Sequence, residues 1–144
     1  MVYRLTRRTH DLFQADSNQF TLELLKTAED IYGPNGPEKL LYNIFKKKTG
    51  ALKSKAKGES VAERAKWLAN FRDGEGYMAQ FINNGKDSGP HILEYHSPLL
   101  NLVELYPIIG RFEQDMFEAI LGTPVHRQVI RNSGLYECAF RFAV

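Results

Sequence analysis

The sequence has a single cysteine, Cys138, and a single tryptophan, Trp67, in 144 residues. One thiol excludes an internal disulfide and fits a reducing compartment. No apolar run approaches the roughly 20 residues that a membrane span needs. Residues 1–20, with the polar stretch RLTRRTHD, hold no apolar signal-peptide core. Low-complexity tracts and internal repeats are lacking too, which excludes solenoids and biased linkers. Catalytic motifs are equally scarce. GPNGPEK has the glycines of a phosphate loop, but it lacks the following Ser/Thr and does not follow a strand. There is no G-x-S-x-G and no pair of carboxylates at a strand end. These absences point away from an enzyme and toward a cytoplasmic, non-membrane module that binds or senses.

What is present is the composition of a globular chain, with 43% hydrophobic and 25% charged residues. At this length one domain with room for a terminal arm is expected, able to bury roughly two thirds of its surface. The net charge of +2 conceals an asymmetry. Residues 1–72 carry 14 basic and 8 acidic side chains, a net +6, and residues 73–144 carry 5 and 9, a net −4. The basic half suits phosphate, and the acidic half does not.

Apolar spacing near four predicts three helices first. The first runs from about Ser17 to Tyr32, with Phe20, Leu24, Leu25, Ala28 and Ile31 in one stripe, Asp16 or Ser17 as cap and Gly33 at its end. The second begins near Pro37, shows Leu40, Leu41, Ile44 and Phe45, and is expected to stop at Gly50. ALKSKAKGE reads as a polar connector. In the third, SVAERAKWLANF, Ser60 and Glu63 have capping-box spacing, and Val61, Ala65, Leu68 and Phe71 face one way. The period then falls to two. YMAQFIN and HILEYH alternate around the turn-forming NGKDSGP and predict a hairpin. An elbow follows: Ser97 as cap, Pro98 at the first helical position, a helix carrying Leu99, Leu102, Val103 and Tyr106, a break at Pro107, and a second helix closed by Gly122. VHRQVIR and LYECAFRF, joined by NSG, alternate again. The fold class is therefore α+β: N-terminal helices followed by β-β-α-α-β-β, with an antiparallel sheet and helices on one face. Tyr136, Cys138, Phe140 and Phe142 share the face expected to pack on the elbow.

Within this frame Glu94, Ser97, Tyr106-Pro107, Gly110, Met116-Phe117, Val125-x-Arg127 and Cys138 form a pattern, with twelve residues between positions 97 and 110. The pattern resembles the C-terminal sensor domain of SufR-like winged-helix regulators, the iron–sulfur-sensing repressors, over about fifty residues from Leu93 to Phe142. A second likeness covers Tyr3, Leu5, Thr6, Leu12 and Phe13, with Thr9 in a glycine's place, and is similar to the end of a winged-helix wing. The resemblance implies a sensor fold in a transcription-regulatory setting. It also implies a division into a wing and linker remnant over 1–16, a helical dimerisation and linker region over 17–72, and a sheet sensor/effector domain over 73–144. The cluster ligands do not carry over. Ser97 and Gly110 stand where the first two cysteines would be, no Cys or His stands near Thr123-Pro124, and one thiolate does not hold a cluster. No cofactor is expected.

Several residues carry two readings. Tyr95, Tyr106, Phe112, Phe117, Tyr136, Phe140 and Phe142, with Ser97 and Cys138, line a ligand pocket between sheet and elbow, or are plain core. Cys138 is a residual metal ligand or redox sensor, or a packed core thiol. Glu94 and His96 bind a metal or exchange protons, or form an exposed strand-end pair, with His91 on the opposite face and His126 lacking an evident partner. Lys46, Lys47 and Lys48, with Lys53, Lys55 and Lys57, touch DNA phosphates, or belong to a solvated loop. Glu113, Asp115 and Glu118 read as the wet side of a helix. The function expected is an effector-sensing, homodimerising domain of a winged-helix transcriptional regulator. It would bind a small apolar or aromatic ligand or a partner, with DNA contacted through an upstream domain. The alternative is a stand-alone small-molecule-binding or scaffold domain.

Overall fold

The computed structural model of the chain describes residues 18–83 and 89–144. The wing-like stretch, the proposed Asp16 or Ser17 cap and most of the NGKDSGP turn lie outside the described residues. Helices α1 (Gln19–Tyr32), α2 (Gly36–Lys55) and α3 (Val61–Gly74) precede strands β1 (Ala79–Ile82) and β2 (His91–Glu94). Helices α4 (Leu100–Leu105) and α5 (Ile108–Leu121) then lead to β3 (Val125–Asn132) and β4 (Leu135–Phe142). The four strands form an antiparallel sheet in the order β1-β2-β4-β3. The expected α+β architecture is therefore present. Ser133 and Gly134, both at positive φ, close β3 onto β4 with a two-residue turn of the kind whose twist matches that of the paired strands.

Helix α3 packs on β1 and α5 on β3; α2 lies against α5 and α1 against α2. One apolar core runs from Leu22 to Phe142, so the helical half and the sheet half share their interior. Phe117 of α5 stacks on Phe140 of β4 with ring centroids 3.8 Å apart, which seats the elbow on the aromatic face of the last strand.

Four sequence expectations about the elements are corrected. In α1 the buried residues are Leu22, Leu25 and Ala28, whereas Phe20, Leu24 and Ile31 are 69%, 52% and 66% exposed. Two apolar arcs overlap at Leu25 and Ala28, and packing against α2 takes the arc that contains Leu22. In α2, likewise, Leu41 and Phe45 are buried, and Leu40 and Ile44 face outward. Gly50 does not end α2, which continues to Lys55. A helical glycine costs only about 1 kcal/mol, and burial of Leu52 two residues later offsets it. The elbow helix starts at Leu100, two residues after Pro98. Ser97 serves the turn before it, its Oγ accepting from Leu99 N and its carbonyl from Leu100 N.

Candidate functional site

The site is built from charged residues that sit on apolar stripes. In α3, Ala65, Leu68, Ala69 and Arg72 follow helical spacing, and all four are buried. In α5, Glu113 falls among Ile109, Met116, Phe117 and Ile120 and is only 2% exposed, not on the wet side of the helix as expected. Glu94 ends β2, paired in register with Cys138 of β4, and is also buried. Arg127 lies on β3 opposite Phe140. A buried charge is tolerated only when it is paired and hydrogen-bonded. Arg72, Glu94 and Glu113 meet that demand together, while Arg127 joins them as an ion pair with Glu113 and keeps a buried Nε with no hydrogen-bond partner among the described residues.

Arg72 donates from Nε to Glu94 Oε2 at 2.7 Å and from Nη2 to Glu94 Oε1 at 2.8 Å, a bidentate fork. Nη2 also donates to Glu113 Oε2 at 2.7 Å, and Arg127 Nη2 lies 3.7 Å from Glu113 Oε1. The Arg72 guanidinium rests on the Tyr77 ring, 3.4 Å from its centroid. Two cations and two carboxylates thus lock the end of α3 to β2, α5 and β3. Taking one partner away would leave an uncompensated buried charge, at a cost of about 3–5 kcal/mol. Burial opposes the charged Arg72, yet Glu94 and Glu113 outweigh it and hold the guanidinium firmly protonated. Burial pushes the Glu94 carboxyl up to about 7, with Arg72 pulling it back and Glu113 adding to the rise. The Tyr77 hydroxyl is also driven up, chiefly by burial.

The expectation of an exposed Glu94–His96 pair is therefore corrected. Both residues are buried, Glu94 is engaged by Arg72, and the His96 backbone N–H donates to Tyr77 O. His91 is buried with Nδ1 at 2.9 Å from Gly89 O, and His126 is exposed. Cys138 sits in the core, where burial pushes its thiol up to about 12, Arg127 opposing and Glu94 and Glu113 reinforcing. Such a thiol stays protonated at neutral pH and is a poor nucleophile. Gly110 has a specific neighbour: a Cβ built there would stand 2.6 Å from Arg127 Nη1. The Arg127 guanidinium fills the space that any side chain at position 110 would need. Among the described residues no group of three or more His, Cys, Asp or Glu side chains is placed to hold a metal.

Among the described residues, those expected to line a pocket do not share any of the described cavities, and only Phe112 borders one. Phe117, Tyr136 and Cys138 are core, as are Phe140 and Phe142. Ser97 is buried in the turn before α4, Tyr95 receives Gln80 Nε2 at 3.5 Å, and Tyr106 is half-buried where α4 meets α5. Phe112 borders an open groove between α2 and α5 and meets Tyr42 edge-on with centroids 5.9 Å apart. Lys46, Lys47 and Lys48 are exposed on α2, with Lys53 and Lys55 further along it, so the basic run is helical and not a loop.

A cavity of about 140 Å³ opens next to the charge network. Its apolar walls are Phe45 and Leu52 of α2, Phe71 of α3 and Met116 of α5, while Arg72 and Tyr77 reach it from the network. Lys48, Lys55 and Glu75 also line it. Sequence reasoning missed both the network and the cavity. The available signal was the charge on apolar spacing at Arg72 and Glu113. No protein-family model, curated protein or solved structure matches the chain.

Proposed function

We propose that this chain is a ligand-sensing and dimerisation region of a winged-helix transcriptional regulator, with DNA contacted by a separate winged-helix segment. The single observation that carries the sensing part is the position of the cavity. Its apolar walls come from three helices, and Arg72 and Tyr77 belong at once to it and to the buried network joining α3 to β2, α5 and β3. A molecule held there touches the joint between helices and sheet. It shifts the domain only to the extent that it prefers one arrangement of that joint. The site is a binding site: the thiol of Cys138 is held protonated in the core and Glu94 is engaged by Arg72, so neither is presented to a substrate. No helix among the described residues is long and apolar enough to cross a membrane. The place of action proposed is the cytoplasm.

The outward arc of α1, Phe20, Leu24 and Ile31, supports self-association through a second copy of the chain. Thermal melting against a library of small apolar compounds tests the sensing role. Ala51 of α2 also lines the cavity, and compounds that raise Tm of the native chain are expected to have no effect on Ala51→Trp, which adds a large side chain at that wall. Compounds that stabilise both proteins equally would place the binding elsewhere and remove the reading.

A further inference from the structure

We infer that the cavity takes a small aromatic monocarboxylate, with the ring among the apolar walls, the carboxylate at Lys48 and Lys55, and an oxygen acceptor at the inner end beside Arg72. The inference rests on the sensing role just proposed and names its ligand class.

Size comes first. A cavity of about 140 Å³ is close to the roughly 150 Å³ apolar cavity that accepts benzene, so one ring or a short branched chain fits inside it. The walls favour a ring: Phe45 and Phe71 are aromatic, and Met116 supplies a thioether that packs well against π faces. Charge comes next. Lys48 and Lys55 stand two helical turns apart on one face of α2, and both border the cavity. The Lys48 ammonium lies 5.8 Å from the centroid of Phe45, itself a wall. Neither lysine has a carboxylate partner among the described residues. Glu75 is the single acidic residue in the lining, against three cations.

The inner end supplies the third element. Arg72 is 3% exposed, and its hydrogen bonds use Nε and Nη2. Nη1 takes no part in the hydrogen bonds to Glu94 and Glu113, and the side chain borders the cavity. A guanidinium N–H at the cavity wall can donate to an oxygen acceptor of a bound molecule. The charge of Arg72 is already matched by Glu94 and Glu113, so the acceptor that suits it is a neutral oxygen such as a phenol, and the anionic end belongs at the lysines.

The test uses three probes on the full chain: 4-hydroxybenzoate, benzoate and 4-hydroxybenzamide. Binding is followed by calorimetry and by the fluorescence of Trp67, the only tryptophan, which stacks on the cavity wall Phe71 at 5.5 Å. 4-Hydroxybenzoate is expected to bind tightest. Removing its charge, or using Lys48→Gln/Lys55→Gln, is expected to weaken it about tenfold or more, the worth of a charge-assisted contact. Both lysines are exposed, so that double variant folds, and far-UV circular dichroism verifies it. Equal affinity for the amide, or an unchanged affinity in the double variant, overturns the carboxylate. If Ala51→Trp still abolishes that binding, the sensing role stands without it. Failure of all three probes to bind overturns the inference, while the library melt judges the sensing role separately.

Discussion

Arg72, Glu94, Glu113 and Arg127 show how much a few buried charges constrain. Glu113 sits where its helix would otherwise present an apolar side chain, and its oxygens accept from Arg72 and face Arg127. The arrangement has a pH signature. The Glu94 carboxyl lies at about 7 in the folded chain against an ordinary 4.5. Between those values the native state holds a proton that the unfolded chain releases, so the contribution of Glu94 to stability is complete at low pH and declines as pH rises through 7. The decline is on the order of 3 kcal/mol at most. Urea unfolding at a series of pH values should show it in the native chain and lose it in Glu94→Gln, which no longer titrates. Parallel profiles for the two proteins would show that the carboxylate is already ionised throughout. The carboxylates could be recognised as out of place from spacing alone, but their partners could not.

At the scale of elements, local rules account for most boundaries and for the exceptions. Ser60 Oγ accepts from Glu63 N at 3.1 Å, as the capping-box spacing predicts, but Glu63 Oε2 takes the backbone N–H of Glu59, one residue earlier than the usual box. Ser60→Ala should cost about 1 kcal/mol, read as a fall in the urea midpoint at constant slope. A variant with unchanged midpoint would mean that Arg64, which donates to Leu121 O at 2.7 Å, fastens this helix end without help. Gly122 ends α5 in the left-handed conformation and Gly33 ends α1 at positive φ, both as expected from glycine after the last apolar turn. Gly36 has a different reason. A Cβ there would meet Ala28 O at 2.6 Å, so the absent side chain is what lets α2 start directly against α1. Nothing in the local pattern distinguishes this glycine from a turn residue, because the atom that excludes a side chain belongs to the preceding helix.

The molecule as a whole has a shared core and two helices, α1 and α2, that turn apolar residues outward, those of α1 being the more exposed. Phe20, Leu24 and Ile31 together expose on the order of 300 Å² of apolar surface, within the range of the largest patch on a typical soluble monomer. If two copies meet there, Leu24→Glu places four carboxylates' worth of repulsion near the contact, with Glu23 of each copy beside it. Its self-association should weaken about tenfold or more, measured by sedimentation equilibrium. A native chain that remains monomeric over the same concentrations would sink the dimer.

The order and type of the elements, both hairpins, the elbow at Pro107 and the buried face of β4 were determined by the sequence alone. Each depends on residues a few positions apart: the period of apolar side chains, a cap, a proline, a turn. The tertiary structure decided which of two apolar arcs on α1 is buried, that Gly110 makes room for Arg127, and that Arg72, Glu94, Glu113 and Arg127 meet beside a cavity. Those outcomes join residues far apart in the chain. Which cation reaches which carboxylate depends on how helices and sheet come together, and no local period encodes that.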